Sequence, residues 1–144
     1  MAIRLSDAAR QHIAAFTAAT GATAVDCVLE DDTVVFVVEP DDMAQAIGPG
    51  GETVAALERQ LGTSVVLVEH APDAAPFVAN ALAPAAVYRV TIDERDEQTV
   101  AIATVDSADV GVAIGRDGAR IERARRLAAR HVGVDDIEIV ESED

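Results

Sequence analysis

The chain contains no lysine and no tryptophan, and its 144 residues include one cysteine and three histidines. A single cysteine excludes an intramolecular disulfide, and together with widely spaced histidines it gives no pattern typical of a zinc site. No stretch approaches the roughly eighteen consecutive apolar residues of a membrane-spanning helix, and the first residues lack the basic-then-apolar order of a signal peptide. We therefore expect a cytoplasmic protein without a metal site, a cofactor or a membrane partner.

Acidic residues far outnumber basic ones, since 26 aspartates and glutamates stand against 11 arginines and give a net charge of −15. Residues 1–70 hold eleven acids and three arginines, and residues 71–144 hold fifteen acids and eight arginines, so the excess is spread over the chain. At 1 M salt the Debye length shrinks to about 3 Å and repulsion between carboxylates is screened. The acidic, lysine-free composition therefore predicts adaptation to a salt-rich cytoplasm and a halophilic source.

A short glycine motif occurs twice. Residues 47–54 read Ile-Gly-Pro-Gly-Gly-Glu-Thr-Val, and residues 114–121 read Ile-Gly-Arg-Asp-Gly-Ala-Arg-Ile, 67 positions later. The repeat predicts two units of about 70 residues, 1–70 and 71–144. Glycines at both ends of a short loop let another backbone approach closely, and the first N–H groups of the following helix lack partners and favour anions. This combination suits a phosphodiester chain.

Hydrophobic periodicity and turn residues predict the same order of elements, α-β-β-α-α-β, in both units. The predicted elements of the first unit are helix 7–20, strands 25–29 and 33–38, a short helix at 43–46, helix 52–61 and strand 64–68. Those of the second unit are a helix starting near Pro76, strands 88–92 and 99–104, a short helix ending at Ala113, helix 119–132 and strand 137–140. The predicted helix caps are Ser6, Asp41 or Asp42, Asp73 and Ser107. The pattern predicts an α+β fold in which each unit is a three-stranded sheet with helices on one face.

The paired Ile-Gly-x-x-Gly loops, each followed by a helix and a strand, resemble the loops of two tandem type II KH domains. The length and order of elements are similar to the archaeal form of the NusA family of transcription factors. KH domains clamp about four nucleotides on a GXXG loop. The resemblance implies a protein that binds single-stranded nascent RNA and acts in transcription termination or antitermination. RNA polymerase or ribosomal particles are further expected partners, and we expect a monomer.

The residues predicted to contact RNA belong to the two loops and to the arginines after the second loop. They are Gly48, Pro49, Gly50, Gly51, Gly115, Arg116, Asp117, Gly118, Arg120, Arg123 and Arg126. The second loop is expected to offer four backbone N–H groups and the Arg116 guanidinium, whereas Pro49 removes one donor from the first. Arg123 and Arg126 extend the positive charge along one helix face, a pattern that is also typical of a solvated face. The second unit is therefore predicted to contribute more of the affinity.

Base recognition by such a loop requires an apolar groove beside it. Val112, Ile114 and Ile121 are candidates for this groove, with parts of strands 88–92 or 137–140, and all of them are also candidates for the core. The chain has only three phenylalanines and one tyrosine. An aromatic stacking platform is therefore not expected to supply most of the binding.

No arrangement of residues predicts catalysis. The acid pairs fall at turns and helix starts, and the first glycine loop lacks the Lys-Ser/Thr that a P-loop requires. We expect a protein that is not an enzyme. Two other functions remain open: a ribosome-biogenesis or RNA-processing factor, and an acidic protein-interaction scaffold with weak RNA binding, which the net charge of −15 favours.

Overall fold

Two separate three-stranded sheets form the framework of the protein in the computed structural model, which describes residues 3–143. One sheet lies in unit 1 (residues 1–70) and the other in unit 2 (residues 71–144), the two compact units into which the chain divides. Unit 1 contains α1 (Asp7–Thr20), β1 (Ala24–Leu29), β2 (Thr33–Val38), α2 (Met43–Ile47), α3 (Glu52–Leu61) and β3 (Ser64–Glu69). Unit 2 contains α4 (Ala74–Ala81), β4 (Val87–Arg95), β5 (Gln98–Val105), α5 (Val110–Ile114), α6 (Ala119–Val132) and β6 (Asp136–Glu141).

Both sheets have the same topology. The first two strands of each unit form an antiparallel hairpin, and the third strand lies parallel to the second after a crossover through two helices. The strand order is therefore β1-β2-β3 in unit 1 and β4-β5-β6 in unit 2. This connection brings the turn between the two crossover helices to one side of each sheet.

Helix α1 begins and ends at the residues that the sequence predicts. The Ser6 hydroxyl accepts the N–H of Ala9 at 3.1 Å, which satisfies one of the donors left open at a helix start. At the other end Gly21 adopts a left-handed conformation, with φ 74°, and donates to the Thr17 carbonyl at 2.8 Å. The predicted helix 7–20 is confirmed, as are the predicted helices 52–61 and 119–132.

The core of unit 1 lies between its sheet and the helices on one face. The rings of Phe16 from α1 and Phe36 from β2 stack with centroids 4.6 Å apart, and both are fully buried. Leu57 from α3 joins the same cluster and is also fully buried. Burial of each such side chain contributes about 1.5–3 kcal/mol, so these contacts fix the helices, and hence the turn between α2 and α3, on the sheet.

Unit 2 has its own core, in which α4, α6 and the strands contribute. Phe77 of α4, Leu127 of α6 and Ile137 of β6 are fully buried. The ring of His131 stacks on Phe77 with centroids 5.3 Å apart. The apolar face of α6 therefore extends to its last turn.

The β4–β5 hairpin is longer than the sequence predicts. A two-residue turn at Asp96 and Glu97 connects the strands, and both residues have positive φ, 48° and 70°. Asn-Gly or Asp-Gly is the usual pair for such a turn, because an L side chain is unfavourable at positive φ. Asp-Glu does not carry that signal, so the prediction placed a longer loop here.

Three predicted side-chain caps, at Asp42, Ser107 and Asp73, are not formed. The Asp42 carboxylate does not cap α2 but accepts the backbone N–H of Thr23 at 2.8 Å, 19 residues earlier. Ser107 begins a 3-10 turn without capping it, and Asp106 accepts the N–H of Ala108 at 2.9 Å instead. Asp42 therefore connects the start of the β1–β2 hairpin to α2, whereas Asp106 supplies the cap in place of its neighbour Ser107.

Unit 2 repeats the first of these contacts. Asp109, 67 positions after the corresponding aspartate of unit 1, accepts the N–H of Ala86 at 2.8 Å. The helix expected near Pro76 begins at Ala74, and Asp73 makes no side-chain capping bond to it.

None of the helices in the described part of the chain is long and apolar enough to span a membrane. Within residues 3–143, no group of three or more histidine, cysteine, aspartate or glutamate side chains has an arrangement that could hold a metal ion.

Candidate nucleic-acid interface

The two glycine motifs form loops with the same backbone conformation. We name residues 48–51, between α2 and α3, loop 1, and residues 115–118, between α5 and α6, loop 2. At the first loop position, φ and ψ are 77° and 169° in Gly48 and 81° and 172° in Gly115. At the third position they are 60° and 19° in Gly50 and 54° and 27° in Asp117. At the fourth position they are 78° and 14° in Gly51 and 77° and 11° in Gly118. Different side chains are therefore built on one loop geometry.

The first glycine of each loop is required by close packing. A Cβ atom on Gly48 would lie 2.1 Å from Oγ1 of Thr53, and one on Gly115 would lie 2.7 Å from the backbone nitrogen of Arg120. Both glycines also have φ and ψ values that only glycine adopts readily. By contrast, a Cβ atom on Gly51 or Gly118 would meet nothing within 4 Å, so the last glycine leaves the loop open on that side.

The loops offer fewer backbone donors than the sequence suggests. In loop 2, Gly115 N–H donates to the Gly111 carbonyl at 2.9 Å, and Gly118 N–H donates to the Gly115 carbonyl at 3.1 Å. The prediction of four available N–H groups is therefore wrong. Among residues 3–143, no backbone acceptor is bonded to the N–H groups of Arg116 and Asp117, which lie at the exposed tip of the loop. Two adjacent amides remain for a ligand.

Loop 1 has one such amide. Gly51 N–H donates to the Gly48 carbonyl at 3.0 Å, and Gly48 N–H donates to the Ala44 carbonyl at 2.9 Å. Pro49 has no N–H, so Gly50 provides the one exposed loop donor. Glu52 follows directly in the first turn of α3 and is exposed, which opposes an anion at this helix start.

The arginines near loop 2 have different surroundings. Arg116 is exposed at the loop tip, whereas the guanidinium of Arg120 donates to the Val112 carbonyl. Arg123 and Arg126 already interact with other groups of the protein. Arg116 is therefore the predicted arginine best placed to meet a phosphate.

Arg125 is not among the predicted RNA contacts, and the structure shows it in a structural role. Its guanidinium lies 2.8 Å from the Asp136 carboxylate and donates to the Ile137 carbonyl at 3.1 Å, which joins α6 to β6.

An exposed apolar surface adjoins loop 2. Val112 is 37% exposed and Ile114 is 40% exposed, although both belong to the short helix α5. Ile121, which the sequence placed with them, is 7% exposed and belongs to the core, because α6 turns that side chain toward the sheet. Ile47, which precedes loop 1 as Ile114 precedes loop 2, is 38% exposed.

A cavity of about 580 Å³ opens on unit 2 at the end of the sheet. Its lining residues are Tyr88, Arg89, Thr104, Val140, Glu141, Ser142 and Glu143. Tyr88 is 58% exposed, and its hydroxyl donates to the Asp106 carboxylate. That bond and the Ala108 N–H lower the pKa of Asp106 below its ordinary value. The sequence indicates strand 88–92 only as part of a possible groove and carries no signal for this contact.

The one cysteine of the chain, Cys27, is buried in the core of unit 1. Burial, together with the nearby Asp26 carboxylate, raises the pKa of Cys27 to about 11. The side chain is therefore a protonated core group at neutral pH.

Comparison with known proteins identifies first the class and then the family. The family described as "NusA-like second KH domain" matches residues 74–144, so unit 2 is a KH domain. The chain is also similar to the crystal structure of APE1850, with a TM-score of 0.82 and 27% identity, over 94% of this chain and 100% of that one.

The sequence relatives are closer. The protein of Halobacterium salinarum (strain ATCC 29341 / DSM 671 / R1) named "Probable transcription termination protein NusA" is 61% identical over 96% of this chain and 99% of its own length. The protein of the same name from Halococcus morrhuae is 57% identical over the same shares. The chain belongs to the archaeal NusA family. The predicted resemblance and the predicted halophilic character are both confirmed.

Proposed function

We propose that this protein is a non-enzymatic transcription termination or antitermination factor that binds single-stranded nascent RNA through two tandem type II KH domains, residues 1–70 and 71–144. The proposal for unit 1 rests on its loop, which has the φ and ψ values of the loop in the identified KH domain. It also rests on the identical order of strands in the two sheets. The names of the relatives support a role in termination.

The observation that carries the RNA-binding proposal is the pair of exposed amides in loop 2. The N–H groups of Arg116 and Asp117 are adjacent, lie at the loop tip and have no backbone acceptor among the described residues. Charge-assisted bonds from backbone N–H groups to an anion are roughly twice as strong as neutral ones. A phosphate placed on these amides would also meet the Arg116 guanidinium, while the carboxylate of Asp117 weakens the attraction.

Apolar contacts supply the second part of the binding. Val112 and Ile114 lie exposed just before loop 2, where unstacked bases of a strand held on the loop can reach them. Apolar contacts and backbone hydrogen bonds depend less on salt than ion pairs with phosphate do. We therefore expect binding to persist in molar KCl, with a weaker salt dependence than a row of arginines would give.

The predicted RNA contacts in loop 1 and among the α6 arginines remain in the proposal, but they are proposed to contribute less to RNA affinity than loop 2 does. Gly48, Pro49, Gly50 and Gly51 are proposed as a weaker site with one available amide. Arg123 and Arg126 already have interactions within the protein, so the proposal does not depend on them.

The test is binding of a fluorescent single-stranded RNA across a range of KCl concentrations by the wild type and by the double variant Gly51→Asp/Gly118→Asp. Both glycines have open space around them, so a substitution costs only the strain of a side chain at positive φ and places a carboxylate beside each loop. We expect affinity to fall by at least about tenfold, since each lost charge-assisted bond is worth roughly 1.5–3 kcal/mol.

Gly62→Asp/Gly133→Asp is the matched control. Both glycines have positive φ and open space, but they end helices α3 and α6 away from the loops. Equal losses in both double variants would show that net charge alone controls binding. Absence of RNA binding by the wild type at every salt concentration would favour the acidic scaffold. Recovery of ribosomal particles rather than RNA polymerase with the tagged protein would favour the RNA-processing role.

A further inference from the structure

Arg120 occupies an unusual place for a positive charge. It is the second residue of α6, in the first turn, where the helix dipole favours anions and disfavours cations. Its guanidinium donates to the Val112 carbonyl eight residues earlier. The contact crosses loop 2 and joins the end of α5 to the start of α6.

The carbonyl that Arg120 reaches belongs to the last turn of α5, where carbonyls lack partners inside the helix. Gly115 N–H satisfies the neighbouring carbonyl of Gly111 at 2.9 Å, and Arg120 satisfies that of Val112. The bond therefore satisfies a second carbonyl in the last turn of a five-residue helix that is too short to be stable by itself.

Close packing accompanies the bond. A Cβ atom on Gly115 would lie 2.7 Å from the backbone nitrogen of Arg120 and 2.8 Å from its Cβ atom. The backbone of Gly115 thus lies directly against Arg120, whose side chain continues past it to Val112. The last turn of α5, the first glycine of the loop and the first turn of α6 form one connected unit.

We propose that Arg120 is a positioning residue for RNA binding rather than a phosphate contact. It holds the loop 2 amides of Arg116 and Asp117 and the exposed side chains of Val112 and Ile114 in one fixed arrangement. This inference rests on the proposed function of loop 2. It reassigns Arg120, which the sequence grouped with Arg116 as a direct contact.

In unit 1 the short helix α2 is held in place by different contacts. The position corresponding to Arg120 is Thr53, whose short side chain packs on Gly48. The position corresponding to Val112 is Gln45, whose side-chain nitrogen donates to the Thr20 carbonyl at 3.0 Å, at the end of α1. Each unit thus secures the helix before its loop, but only unit 2 does so across the loop itself.

The test compares Arg120→Met with Arg116→Met, because each variant removes one positive charge and keeps an unbranched side chain. In the absence of RNA, hydrogen exchange of the Gly115 and Gly118 amides is expected to accelerate by about tenfold in Arg120→Met and not in Arg116→Met. Both amides are bonded within the α5–loop 2 segment, so they report its opening.

RNA binding provides the second measurement. Arg120→Met is expected to bind about three- to tenfold more weakly with an unchanged dependence of log K on log salt, whereas Arg116→Met is expected to lower that slope by about 0.7. Unchanged amide exchange in Arg120→Met, or a slope lowered as in Arg116→Met, would overturn the inference. Failure of the wild type to bind RNA would instead overturn the proposed function. The measurement on the wild type therefore distinguishes that failure from failure of the inference about Arg120.

Discussion

Loops 1 and 2 share their backbone and differ in their chemistry. Gly50 in unit 1 and Asp117 in unit 2 occupy the same position with nearly the same angles, 60° and 19° against 54° and 27°. Yet loop 1 carries Pro49 where loop 2 carries Arg116, so the first has one exposed amide and no charge. The comparison shows that glycines and close packing preserve a conformation while the residues between them set what the loop can bind.

The largest effect should follow from removing a first glycine. Gly115→Ala and Gly48→Ala each place a Cβ atom within 2.7 Å of the following helix, at angles that only glycine adopts readily. Each is expected to lower the free energy of unfolding of the full chain by about 3 kcal/mol. Chemical denaturation measures the loss.

Gly51→Ala and Gly118→Ala are the matched controls, because both positions have positive φ but open space. They are expected to cost only about 1 kcal/mol. Equal losses of unfolding free energy at the first and last glycines would show that the loop conformation shared by the two units depends on backbone angles alone and not on packing against the helix.

The next-largest effect should follow from exchanging the second residue of each loop, Arg116 and Pro49. Because the two loops have the same backbone, Arg116→Pro is expected to fold, and it removes both an exposed amide and a charge. RNA affinity should fall by about tenfold, and Pro49→Arg should raise it by a smaller factor. Fluorescence anisotropy at fixed KCl measures both. Unaltered affinity in both variants would mean that the loop tips do not contact RNA.

The hairpins offer a third contrast, since the turn of unit 2 has Asp96 and Glu97 at positive φ. Glu97→Gly removes an unfavourable conformation and supplies the residue that such a turn prefers. The free energy of unfolding should rise by about 1 kcal/mol, with RNA affinity unchanged. Thermal melting tests this, and a lower melting temperature would contradict the turn geometry.

The smallest effect concerns Tyr88, the one tyrosine of the chain. Its hydroxyl is the main cause of the lowered pKa of Asp106, with the Ala108 N–H second. The bond stabilises the folded protein while Asp106 is ionised, so this contribution is present at neutral pH and is lost as the pH falls through the lowered pKa. Tyr88→Phe should raise the pKa of Asp106 toward its ordinary value. Carboxyl titration by NMR measures it, and an unmoved pKa would refute the contact.

Much of this architecture could be predicted from the sequence where local signals act. Ser6, Gly21 and the helical spacing of apolar residues determine helix 7–20, and the repeated glycines located both loops. The β4–β5 turn could not be predicted, because the pair Asp-Glu carries no local signal for the positive φ values that both residues adopt. The predicted cap at Asp42 failed for a related reason, since its carboxylate binds the N–H of Thr23, 19 residues earlier, whereas the predicted cap at Ser107 failed because the adjacent Asp106 supplies the bond.

The candidate site was predictable in position but not in detail. Loop 2 was found, but the use of its glycine amides within the loop depends on carbonyl directions that residue types do not reveal. Arg120 and Arg125 belong to the same arginine-rich stretch as Arg116, yet bonds to Val112 and Asp136 separate their roles. Helical spacing cannot predict such bonds, because they join α6 to elements elsewhere in the unit.

The most direct measurement is RNA affinity of Gly51→Asp and Gly118→Asp as separate variants at one high KCl concentration. Both substitutions enter open space at nearly the same backbone angles, so only the loop differs. The proposed exposed amides and Arg116 in unit 2 require the larger loss from Gly118→Asp. An equal or larger loss from Gly51→Asp would contradict the account.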